Sequence, residues 1–245
     1  MENLLAFYPT GLPFQLFSAQ HVLALLLITA LNLSFAVFLK DGHHPRLREW
    51  LRYILIVVLI LVQIAWNWWQ WLVGIWTIAD SLPLQICTLS EALATWMLLT
   101  RSQRLFAFLY FWCLAGAGNG LFTPDIVIYG FPHARYWIFF ISHGANVCAI
   151  LFMVIAYGYR PSWQDLWHTV VLTNVYLGCI MLVNMLTGGN YMYVARKPDF
   201  PSLMDFMGPW PWYILGLEFI GLLSFLLVYA PFALSQLARG EQVTG

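Results

Sequence analysis

The chain has 245 residues, 61% hydrophobic and 9% charged, with a mean hydropathy of +0.74. Soluble domains carry about 25% charged residues, so a water-soluble globular body is excluded and an integral membrane protein is indicated. The formal net charge is zero, which gives no electrostatic reason to expect a nucleic-acid partner.

A membrane helix needs about 20 apolar residues, and seven runs qualify. The first covers about 17–39; no Lys or Arg precedes it and no small-residue cleavage site follows, so it reads as a retained helix rather than a cleaved signal. The second, about 53–76, ends among Trp66, Trp68, Trp69, Trp71 and Trp76, residues that favour the membrane interface. The third, about 83–99, is short and starts at Pro83, a residue suited to a helix's first turn. The fourth, about 105–122, is also short. The fifth, sixth and seventh cover about 137–157, 166–186 and 212–234. The expected fold is all-α, a polytopic membrane bundle of about seven transmembrane helices forming one integral domain over 1–245, without internal repeats. Eight of the 11 basic residues fall on one side of these spans, led by Lys40, Arg46, Arg48 and Arg52, and three on the other, Arg135, Arg196 and Lys197. The positive-inside rule then puts the N-terminus outside and the C-terminus in the cytoplasm. Cys87, Cys113, Cys148 and Cys179 lie in four different runs with no CxxC pair, so neither a disulfide framework nor a zinc ribbon is indicated.

Polar residues inside a bilayer face protein or water and usually carry function. At about 1.5 Å per residue, most of them fall in the outer halves of the spans. His21 lies in the first span and the stripe Gln63, Asn67, Gln70 in the second. Cys87 and Glu91 are one turn apart in the third, and Asn119 is in the fourth. His143 and Asn146 share a face of the fifth; Asn184 and Glu218 lie in the sixth and seventh. This pattern predicts a polar cavity open to the outer leaflet; the alternative is a hydrogen-bonded network that only ties helices together. A thiol and an imidazole at matching depth suit nucleophilic catalysis, with Cys87 as nucleophile and His143 as base. Glu91 or Glu218 would orient the base, and Asn146, Gln85 or Asn67 would supply oxyanion donors. His21 and Asn184 complete the set of supporting candidates. No HxxxH or ExxH spacing marks a metal site, and no cofactor is expected. The outer connection from about Thr187 to Trp210 reads as a lid, or as a loop that only caps the helices.

The motifs "LPLQIC", "TPD", "GFPH", "FFISHG", "GYRP", "NYMY", "RKP" and "GPWPWY", in this order, resemble the YwaF family of bacterial integral membrane proteins over nearly the whole chain. That family is similar to a eukaryotic transmembrane acyltransferase that moves polyunsaturated acyl chains onto ether phospholipids, and more distantly to membrane hydrolases of bioactive lipid esters. The resemblance implies a catalytic Cys at Cys87 in "LPLQIC" and a catalytic His at His143 in "ISHG". It implies a lipid acyltransferase of a bacterial plasma membrane, with phospholipid and lysophospholipid as partners, or a lipid hydrolase if water accepts the acyl group. The alternative function is a transporter, channel or lipid scramblase with a polar intramembrane binding site.

Overall fold

In a computed structural model, residues 2–11, 13–40, 42, 44–198 and 202–239 are described. Helices account for all regular structure among these residues. They are α1 (Glu2–Leu5), α2 (Ala19–Leu39), α3 (Pro45–Leu72), α4 (Ile86–Thr100), α5 (Gln103–Phe122), α6 (Ala134–Ala156), α7 (Trp163–Thr187) and α8 (Trp212–Ala238). Six of them are long and apolar enough to cross a membrane, and α4 is a shorter apolar helix of 15 residues. The seven apolar runs of the sequence are therefore seven helices of a polytopic bundle.

Local chemistry sets the helix ends. Ser102 caps α5 by accepting from the Leu105 N–H, and Ser162 and Asp165 form a reciprocal capping box at the start of α7. Gly188, at φ +71°, ends α7 in the left-handed conformation that glycine reaches without strain. Helix α3 begins earlier than its apolar run, at Pro45, and its 28 residues measure about 42 Å. The hydrocarbon core is only about 30 Å thick, so the basic first turns of α3 reach beyond it.

The chain forms two compact units, Met1–Ile75 with Cys87–Arg160, and Trp76–Ile86 with Pro161–Gly245. In the first unit α6 is the central helix. Thirteen of its 23 residues are buried, against three of 21 in α2, and it packs on α2, α3 and α5. The outward faces are apolar, with Leu26, Leu27, Val37, Ile64 and Trp96 among the exposed side chains, which suits lipid and not water. One end of this unit is held by a charged clasp. Arg52, 3% exposed, grips Glu49 through Nε (3.0 Å) and Nη2 (2.8 Å) and donates to the Leu98 carbonyl (2.7 Å). Arg101 and the Tyr157 hydroxyl also donate to Glu49, each at 2.8 Å.

In the second unit, Asn174 Nδ2 of α7 donates to Glu218 Oε2 of α8 at 3.1 Å. The connection between these helices holds two 3-10 turns, Tyr191–Tyr193 and Leu203–Phe206; residues 199–201 of the lid expected from the sequence lie outside the described residues.

The start of α6 depends on one imidazole. His133 is fully buried; its Nδ1 accepts from the Arg135 N–H at 3.0 Å, so its proton sits on Nε2, which donates to the Ala6 carbonyl at 3.0 Å. Burial holds the His133 pKa below the ordinary 6.5, aided by the Arg135 charge and opposed by the Ala6 hydrogen bond. The unfolded chain binds more protons between the two values. The stabilisation from the neutral ring is therefore complete above about pH 6.5 and is lost as pH falls through the folded value. Melting in detergent is expected to show Tm falling between about pH 7.5 and 5. His133→Asn keeps a cap acceptor but cannot titrate, and is expected to show a smaller fall; an unchanged pH dependence would contradict this assignment.

Candidate active site

The chain enters α4 later than the sequence predicts. Pro83 does not start the helix; it sits in a tight turn closed by the Leu84 N–H on the Leu82 carbonyl (2.7 Å), and α4 begins at Ile86. The reason is that residues 78–85 are already engaged within the second unit. Tyr191 Oη donates to the Ile78 carbonyl (2.6 Å) and accepts from the Leu82 N–H (3.0 Å). Tyr176 Oη donates to the Leu84 carbonyl (2.7 Å), and Gln85 Oε1 accepts from the Met192 N–H (3.0 Å). Non-helical backbone at membrane depth survives where protein groups satisfy it in this way.

Cys87 therefore lies in the first turn of α4, half-buried, and Glu91 lies one turn further on, 3% exposed. Helix α6 meets both. Ser142 Oγ donates to Glu91 Oε1, and Asn146 Nδ2 donates to the Cys87 carbonyl at 3.2 Å. Asn146 is wholly buried, and its Oδ1 accepts from Cys113 Sγ at 3.8 Å. Cys113 belongs to a π-helical stretch of α5, Trp112–Ala117, a widened turn of the kind often found at functional sites. Three helices thus converge on Cys87, Glu91, Cys113, Ser142 and Asn146.

His143 stands beside Ser142. Its ring stacks on Phe139, centroids 4.0 Å apart, and its Nδ1 lies 3.0 Å from the Phe139 carbonyl. A carbonyl only accepts, so Nδ1 carries the proton and Nε2 keeps a basic lone pair. That edge lies over Gly120 of α5, where a Cβ would come within 2.7 Å of Cδ2 and 3.0 Å of Nε2. The Asp125 carboxylate, just past α5, acts electrostatically on both Cys87 and His143. Arg135 acts in the same way on both Glu91 and His143. Among the described residues no hydrogen bond joins the Cys87 thiol to His143.

The other candidates have separate places. His21 Nδ1 accepts from the Phe17 N–H (3.0 Å) and its Nε2 donates to the Leu121 carbonyl (2.8 Å), tying the start of α2 to the end of α5. Asn67 donates to the Gln63 carbonyl of its own helix (2.9 Å). Gln85, Asn184 and Glu218 belong to the second unit. There Asn184 exchanges two hydrogen bonds with the Tyr191 backbone, 3.0 and 2.8 Å, and so holds the "NYMY" turn, whose Met192 and Tyr193 have φ of 60° and 53°. Among the described residues no group of three His, Cys, Asp or Glu side chains is placed to hold a metal ion.

Sequence reasoning passed over Ser142, Cys113 and Asp125. Ser142 was legible, because it precedes Asn146 by four residues and so shares its helix face. Asp125, in "TPD", is the first acid after the fourth apolar run. Cys113 had no usable signal, because a π turn shifts the register that helical spacing assumes.

These features define a polytopic helical membrane protein with a half-buried thiol and imidazole on helices joined by one buried carboxyl group, Glu91. The signature of the TMEM164 family matches residues 16–229, from the approach to α2 into α8, and the chain belongs to this family of transmembrane proteins. No curated protein and no solved structure matches it.

The contact between Gly120 and His143 gives a direct check. Gly120→Ala is expected to displace the ring and shift the His143 imidazole resonances, identified by their loss in His143→Gln. Gly118→Ala, where a Cβ meets nothing within 4 Å, is expected to leave them in place. Equal spectra for the two variants would refute the packing of His143 on Gly120.

Proposed function

We propose that this protein is a membrane-embedded lipid acyltransferase of a bacterial plasma membrane, working through an acyl-thioester on Cys87. The observation that carries this reading is the His143 tautomer. With Nδ1–H donated to Phe139, Nε2 is the one ring nitrogen able to take a proton, and His143 is on the helix that Glu91 and the Cys87 carbonyl bind. The resemblance of "LPLQIC" and "ISHG" to the Cys and His motifs of a lipid acyltransferase adds independent support.

In this mechanism His143 Nε2 takes the Cys87 thiol proton and the thiolate attacks the ester carbonyl of a phospholipid. The C–O bond breaks, the lysolipid oxygen leaves with the proton from His143, and the acyl group stays on sulfur. A second lysolipid hydroxyl then loses its proton to His143 and attacks the thioester, forming the new ester and restoring the thiol. Water in that last step would release a free fatty acid. Among the described residues no hydrogen bond joins the thiol to the imidazole, so this mechanism requires substrate binding to bring them within reach. Glu91 and Ser142 set the position of the two helices.

The test is acyl transfer in proteoliposomes, with a labelled acyl chain on a phospholipid and an unlabelled lysolipid as acceptor. Wild type is expected to label the acceptor. Cys87→Ala should abolish transfer and His143→Gln should slow it by about 100-fold or more, the usual worth of a general base. Transfer that survives in Cys87→Ala would refute the mechanism. Lipid or solute flux without any acyl transfer would support the transport reading instead.

A further inference from the structure

Helix α6 carries a stripe of residues on one face. Arg135, Phe139, Ser142 and Asn146 follow one another at i, i+4, i+7 and i+11, which the helical repeat aligns. Ser142 and Asn146 are the residues that hold Glu91 and the Cys87 carbonyl. Arg135 stands at the open end of the stripe, partly exposed, with its guanidinium 4.1 Å above the Trp66 ring and 5.9 Å from that of Phe139. At this end of α3 and α6, Trp68, Phe131 and Trp137 are 57%, 45% and 48% exposed, aromatic residues of the kind found at headgroup level. The first amides of α6 do not offer an anion site, since Arg135 N–H bonds the His133 side chain and Tyr136 N–H its carbonyl. Any anion at this end of the stripe is read by the guanidinium.

Depth gives this arrangement its meaning. Arg135 and His143 are eight residues apart, about 12 Å along the helix, so a group bound to the long Arg135 side chain sits one short span above the site. In a phospholipid the phosphate lies at the interface, with the ester carbonyls just beneath it. A guanidinium offers five N–H donors in a planar fork matched to phosphate oxygens.

We propose that Arg135, seated over the Trp66 ring, is the receptor for the phosphodiester of the acyl-donating lipid, and that it hangs the ester at the level of Cys87. This rests on the acyl-transfer reading for its purpose, and it makes the substrate a phospholipid and not a neutral glyceride. Arg135 is a substrate-positioning residue.

The test has a binding arm that does not depend on turnover. Purified wild type, Arg135→Gln and Arg135→Lys are compared by native mass spectrometry for retention of phosphatidylglycerol and of diacylglycerol with the same acyl chains. Wild type is expected to prefer the phospholipid, Arg135→Gln to lose that preference by about tenfold, and Arg135→Lys to keep part of it. In the kinetic arm, the ratio of kcat/KM for the two donors should fall by a similar factor in Arg135→Gln, mainly through KM. Equal retention of both lipids by wild type, or an unchanged preference in Arg135→Gln, would overturn the proposal. So would binding of soluble glycerol 3-phosphate as tight as that of the lipid. Preference for the phospholipid without any acyl transfer would leave the phosphate site standing and remove the acyltransferase reading.

Discussion

The bond from Ser142 to Glu91 is the interaction on which the geometry of the first unit turns. A carboxyl group inside a bilayer is costly unless a polar group meets it. Helix α4 carries such a group on its buried face, and α6, the most buried helix of the unit, supplies the donor. The pairing fixes the rotation of α4 about its own axis, since a shift of one residue would turn Glu91 by about 100°. With that rotation set, the Cys87 carbonyl lies within reach of Asn146, and Asn146 in turn accepts from Cys113. One buried acid therefore specifies where a thiol one turn away stands relative to α6.

Helix α4 needs this external definition. Its 15 residues span about 22 Å, short of the hydrocarbon thickness. The backbone ahead of it is not helical; Tyr191 and Tyr176 meet polar groups of Ile78, Leu82 and Leu84, and the Gln85 side chain accepts in turn from the Met192 N–H. Such a segment is tolerated only when every exposed amide and carbonyl finds a partner in protein. Glu218 illustrates the contrasting use of a membrane carboxyl. It accepts from Asn174 and ties α7 to α8, and among the described residues no thiol or imidazole bonds it. Two acids at similar depth in the sequence thus have different company in the structure.

The bundle itself was legible because the bilayer imposes a length and a composition that the residues display openly. All seven apolar runs became helices, and their ends moved by only a few residues, apart from α3. That helix began eight residues early because Pro45 and the charged clasp of Glu49, Arg52 and Arg101 extend it. Depth put Cys87, Glu91 and Asn146 at one level, where the structure joins Asn146 to the Cys87 carbonyl and Glu91 to Ser142. What depth did not give was rotation. Helical rotation sends His21 to the end of α5 and the Asn67 amide to a carbonyl of its own helix, while Asn146 reaches the Cys87 carbonyl of α4. Ser142 was missed although its spacing from Asn146 was in plain view. The π turn at Trp112–Ala117 breaks the 3.6-residue rule on which any such reading depends, so Cys113 was out of reach.

The central claim is that the Cys87 sulfur carries the acyl group, and intact-protein mass after brief exposure to a phospholipid without acceptor tests it most directly. The account requires a species heavier by one acyl group, removed by neutral hydroxylamine and absent from Cys87→Ser. A wild-type mass that stays unchanged while acyl chains move between lipids, or an adduct that persists in Cys87→Ser, would contradict it.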